Sequence, residues 1–163
     1  MSEPHDTVPP KAVGVAAGLM WATYVAAAVG FFMYFYYWAS DDPSTAATWL
    51  AALVLGAAGL LSFVRHSVFH KADAARLGWD IGRRNNFQIE VGFANLAWGV
   101  VGLLAVFLSW STQTIGALTL VFGIYMTAAT VLHLADGKRR GALIASACFA
   151  VALWVAGVQL LTS

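Results

Sequence analysis

The stretch Ala46–Val64, AATWLAALVLGAAGLLSFV, carries no charged side chain, and the next seven residues, Arg65–Lys71, read RHSVFHK. As a helix rising about 1.5 Å per residue, a run of this length crosses the roughly 30 Å hydrocarbon core of a bilayer. Four apolar runs of comparable length accompany it: Ala12–Trp38, Val91–Trp110, Ile115–Leu134 and Gly141–Leu161. The chain is 60% hydrophobic and 10% charged, with a mean hydropathy of +0.73. It has too little charge to cover a water-facing surface, which excludes a soluble globular domain. The fold predicted is an all-α integral membrane protein, a five-transmembrane-helix bundle forming one domain over residues 11–163. The polar tail over residues 1–10 is expected to be disordered.

A cleavable signal peptide competes for the first run. That run is longer than an h-region of about 7–15 residues, and no small-residue cleavage site comes after its aromatic end. The aromatic end, FFMYFYYW (Phe31–Trp38), suits the membrane–water boundary, where rings are half wetted.

Basic residues set the orientation, because Lys and Arg in short loops stay on the cytoplasmic side. Lys11 precedes the first span. Arg65, Lys71, Arg76, Arg83 and Arg84 lie between the second and third, and Lys138, Arg139 and Arg140 between the fourth and fifth. The other two connections, ASDDPST and STQT, contain none. The pattern predicts a cytoplasmic N-terminus and an outer C-terminus, in a multi-pass protein of the bacterial inner membrane. A net charge of +1 gives no reason to expect nucleic acid. The partners expected are the lipid bilayer, with its anionic headgroups at the basic loops, and other membrane subunits or further copies of the chain.

Cys148 is the lone cysteine, inside the fifth run, which excludes a disulfide framework. Small residues recur at Gly14-x-x-x-Gly18, Gly56/Gly59 and Gly99/Gly102. Such positions let helices approach closely where lipid supplies no hydrophobic drive for association.

The longest connection, Arg65–Gln88, is read as a cytoplasmic loop whose first half continues as helix until Gly78 caps it. His66 and His70, four apart, would share one face of such a helix, about 6 Å apart along the axis. Glu90 opens the third span, with Gln88 before it and Asn95 deeper. The fourth span runs the opposite way and delivers Thr127, Thr130, His133 and Asp136 toward the same side. An ionisable group in hydrocarbon is costly enough that it usually pairs or lines a pathway, so this convergence marks the candidate site.

Plainer roles compete at every position. Interfacial histidines contact headgroups, and Glu90 near a helix N-terminus is stabilised by the helix dipole or pairs with Arg83 or Arg84. Asn95 can bond across helices, Thr127 and Thr130 can bond their own backbone, and His133 can pair with Asp136. If the site is real, His66, His70, Glu90 and His133, with Asp136 nearby, form a nitrogen-rich set suited to a transition metal, or two of the histidines hold a haem. The H-x-x-x-H spacing lacks the glutamate of H-E-x-x-H, and no C-x-x-C-H occurs for covalent haem. Nor is there a nucleophile elbow or a phosphate-cradling loop.

Three functions are compatible with these residues, in order of support. The first is a small membrane protein acting through a cytoplasmic-leaflet His/Glu/Asp cluster, binding a small ligand or ion or serving as an accessory subunit. The second is a metal- or haem-dependent oxidoreductase. The third is a purely structural membrane subunit.

Overall fold

The computed structural model describes residues 8–78, 84–135 and 140–163, and every regular element among them is helical. In chain order these are α1 (Pro10–Ala39), α2 (Pro43–Val68), α3 (His70–Leu77), α4 (Asn86–Phe107), α5 (Thr112–Ala135) and α6 (Arg140–Leu161). All but the short α3 are long and apolar enough to cross a membrane, as the hydropathy pattern predicted. The protein is therefore an all-α bundle of the multi-pass membrane type. The tail expected over residues 1–10 falls mostly outside the described residues, and α1 has already begun at Pro10.

Local chemistry explains the helix ends. Asp42 caps α2, its carboxylate accepting from Thr45 N–H at 3.0 Å, with Pro43 in the first turn. Asp41 takes a left-handed conformation (φ 57°) in the same tight turn, and Ser109 (φ 51°) does so between α4 and α5. The α4 helix starts at Asn86 rather than Val91 because the Asn85 side chain accepts from Gln88 N–H at 3.1 Å. Gly78 closes α3 at φ 74°, the left-handed cap expected of it.

The chain divides into two compact units. The first combines residues up to Gly30 with Ala52–Leu103. Within it α2 and α4 run antiparallel and cross at glycines. A Cβ added to Gly59 would lie 2.7 Å from Gly99 N, and one on Gly99 would lie 2.8 Å from the Leu60 side chain. The backbones are in contact, which is how helices gain dispersion energy in lipid. Gly30 meets α2 in the same way, its place beside Val54 leaving no room for a side chain. Gly14 and Gly18, by contrast, face open space.

The second unit combines Phe31–Ala51 with Leu104–Ser163. Here α5 and α6 form an antiparallel hairpin, Gly116 fitting against Leu160 and Gly157 against Leu120. The aromatic end of α1 proves two-sided. Tyr34 is fully buried and donates to Gln159 Oε1 at 2.9 Å, and Phe31 meets Phe149 edge to face, while Phe32 and Tyr36 remain exposed. Large apolar side chains elsewhere are also exposed, Phe107 at 78% and Leu134 at 65%. Such surfaces suit lipid and not water.

Candidate functional site

At the end of α2 the backbone departs from α-helix. Val64–Val68 is π-helical, with Phe69 N–H donating to Val64 O at 3.1 Å, and the chain then breaks at Phe69 (φ −101°, ψ 25°) before α3 begins. A π-turn adds a residue to the repeat, and the break sends α3 off in a new direction. His66 and His70 therefore do not lie on one continuous α-helix, and their rings have separate partners. His70 Nδ1 donates to Ser67 O at 2.9 Å, and its buried Nε2 has no hydrogen-bond partner among the described residues.

The His66 ring instead bridges Arg65 and α3. Arg65 Nη2 lies 2.8 Å from His66 Nε2, and a guanidinium can only donate, so Nε2 accepts and the ring proton sits on Nδ1. That nitrogen is 3.2 Å from Asp73 Oδ2. Asp73 is 0% exposed and is the centre of the cluster. Its Oδ1 accepts from Arg76 Nε at 3.1 Å and Nη2 at 2.8 Å, and its Oδ2 accepts from Gln88 Nε2 at 3.0 Å. One carboxylate thereby joins the end of α2, the middle of α3 and the first turn of α4. Burial pushes the Asp73 carboxyl up, but His66, Arg65 and Arg76 outweigh it and hold the group at about 2. Close by, Ser67 donates to Ile89 O at 3.3 Å, a second tie between α2 and α4.

The residues singled out from the sequence fall into separate groups. His66 and Gln88 belong to this cluster, and His70 lies at its edge. Glu90 is exposed, and among the described residues of the region the buried carboxylate is Asp73. Asn95 is buried and donates to Val91 O on its own helix at 2.7 Å, with no bond across helices among the described residues. Thr127 and Thr130 likewise bond Gly123 O and Met126 O on α5, and Thr127 also accepts from Trp154 at 3.1 Å. His133, half-buried in the last turn of α5, belongs to the second unit, and Asp136 lies outside the described residues. Among the described residues no group of three or more His, Cys, Asp or Glu could hold a metal ion, so the set His66, His70, Glu90 and His133 finds no support as a metal centre. Cys148 is exposed on α6.

Sequence reasoning missed Asp73, Arg76 and Arg65 as site residues. A signal was present: Asp73 sits between two alanines, three residues before an arginine and seven after His66. The spacing to Arg76 is that of an ion pair on one helical face.

Two open grooves border the cluster. One, of about 330 Å³, runs between Pro9, Ala12 and the start of α3. The other, of about 440 Å³, lies between the end of α2 and the start of α4, with Lys71 and Arg84 beside Phe63 and Phe93. Chemically, the cluster itself holds charge in place. The donors from Arg76 and Gln88 occupy both carboxylate oxygens of Asp73.

No curated protein and no solved structure matches the chain. A family model does match over residues 17–156, from within α1 to within α6, a stretch that includes the whole Asp73 cluster, and the chain belongs to that family, the family of unknown function DUF6790.

Proposed function

We propose that this protein is an accessory subunit of a membrane complex in the bacterial inner membrane, its N-terminus cytoplasmic and its C-terminus outside. The basic end of the first unit is then the cytoplasmic face, and α3 is the element it presents to a partner. The observation that carries this reading is the saturated, fully buried Asp73, which ties α3 to α2 and α4 and so holds a cytoplasmic element in fixed geometry. Buried polar groups of this kind are retained in some proteins because they fix a specific arrangement, and a docking surface needs one.

A second reading, a site for a small ligand or ion, draws on a different observation. His70 Nε2 and Gln88 Oε1 are buried near the cluster without hydrogen-bond partners among the described residues, and a bound molecule would satisfy them. The oxidoreductase reading has no comparable observation behind it.

The test is native electrophoresis of membranes solubilised in mild detergent, comparing the wild type with Asp73→Asn. The accessory reading predicts a species larger than one chain in its micelle, with a second polypeptide in constant ratio, lost in the variant. A wild-type chain migrating alone contradicts it, and a species containing only further copies of the chain replaces the partner with a homo-oligomer.

A further inference from the structure

We propose that the outward face of α4, headed by Glu90, is the docking surface for a transmembrane helix of a partner subunit that brings a Lys or Arg to Glu90. The proposal rests on the accessory-subunit reading and adds to α3 a contact within the membrane.

Along α4 the exposed positions Asn86, Glu90, Phe93, Ala97 and Val100 follow one another at steps of four and three. They form one stripe on the side of the helix away from Gly92 and Gly99, which meet Ser67 and Leu60 of α2. Alternating steps of four and three present the seam that a second helix, crossing at about 20°, packs against in a membrane. From Phe93 onward the stripe is apolar, with Phe93 57% and Val100 43% exposed.

Glu90 is the charge in this stripe. It stands four residues beyond Asn86, about 6 Å into the helix. That is the level of Ser67 in the last turn of α2, whose hydroxyl donates to the carbonyl of the neighbouring Ile89. Both helices are there within the bounds of their apolar spans. Among the described residues nothing bonds to the Glu90 carboxylate. The other described carboxylates leave it isolated: Asp73 is buried in its own bonds, and Asp41 and Asp42 lie before the opposite end of α2. An ionised group on the outer face of a membrane helix is costly until it is paired.

Charge complementarity selects the occupant. Anionic headgroups, which gather at a basic cytoplasmic surface, repel a carboxylate. A second copy docked by this same face across a two-fold axis would set Glu90 against its own symmetry mate. A zwitterionic lipid brings a phosphate together with its ammonium. A partner helix with one Lys or Arg above an apolar face matches both the carboxylate and the stripe below it.

The experiment replaces Phe93 of the full chain by the photo-crosslinker p-benzoylphenylalanine, irradiates native membranes and maps the adduct by mass spectrometry. Expected is an adduct with a different membrane polypeptide, at a transmembrane segment next to a Lys or Arg. Its yield falls about tenfold in Glu90→Gln, persists in Glu90→Asp and is lost in Glu90→Lys. It returns when Glu90→Lys is combined with the reciprocal charge change in the partner. Glu90 is exposed, so these variants test the surface without risk to folding. An adduct with lipid or with a second copy, or a yield indifferent to the charge at position 90, overturns the proposal. A partner complex that survives Glu90→Lys in native electrophoresis removes this surface and leaves the accessory reading standing, whereas a wild-type chain migrating alone contradicts both.

Discussion

Asp73 and Gln88, 15 residues apart in the chain, meet through a 3.0 Å hydrogen bond from the Gln88 amide to the Asp73 carboxylate. The bond joins α3 to the first turn of α4. Asn85 Oδ1 accepts from the Gln88 backbone N–H, while the Gln88 side-chain amide donates away from the helix, to Asp73. The sequence NNFQ thus does two jobs, starting a transmembrane helix and tying it to the preceding element.

Removing the charge of Asp73 leaves two arginines facing a neutral amide in a buried site. Breaking a buried ion pair from one side costs on the order of 3 kcal/mol, so Asp73→Asn is expected to lower the thermal midpoint in detergent by several degrees. Glu90→Gln, at an exposed position, should leave it within error. Thermal unfolding followed by tryptophan fluorescence checks both.

The same carboxylate predicts a pH dependence. Its folded-state pKa, about 2, lies below the ordinary 3.8, so its contribution is full above about pH 4 and is lost as pH falls toward 2. The difference corresponds to about 2 kcal/mol at neutral pH. Asp42, lowered by its bonds to Thr45, acts in the same direction and is common to both proteins. Wild type should therefore lose more stability than Asp73→Asn between pH 5 and 2, on the scale of about one pKa-linked proton. Parallel pH profiles would remove Asp73 as the source.

Glycine substitutions separate contact from composition. At Gly99 a Cβ would press on Leu60, including its backbone nitrogen at 2.9 Å, so Gly99→Ala should cost about 1–3 kcal/mol. At Gly14, where nothing lies within 4 Å, Gly14→Ala should be neutral or stabilising by about 0.5–1 kcal/mol through helix propensity alone. The comparison is a pair of thermal midpoints in one detergent.

The five spans were legible because each is a long uninterrupted apolar run, and backbone satisfaction in lipid leaves such a run helical. The site was legible only in part. Along α4 the buried positions Gln88, Gly92, Asn95 and Gly99 keep to helical periodicity, and Glu90 falls off that face, so its apolar neighbours misplace it. Asp73 was hidden for the opposite reason. Its burial depends on donors from three elements, and no single stretch of sequence displays them together. The pairing of His66 with His70 failed on backbone geometry, since the π-turn at Val64–Val68 and the break at Phe69 interrupt the helix that the spacing presupposes.

In the second unit, the Tyr34 hydroxyl is the comparable polar tie. Tyr34→Phe removes its bond to Gln159 and should cost about 1 kcal/mol, while Tyr36→Phe, on the exposed face, should cost nothing measurable. Thermal midpoints distinguish the two.

The most direct test of the clamp is hydrogen–deuterium exchange by mass spectrometry on wild type and Asp73→Asn in detergent. If Asp73 fixes α3 against α2 and α4, protection falls in peptides covering α3 and the first turns of α4, while the α5–α6 hairpin exchanges as before. Unchanged protection in α3, or a uniform loss across the chain, would contradict the account.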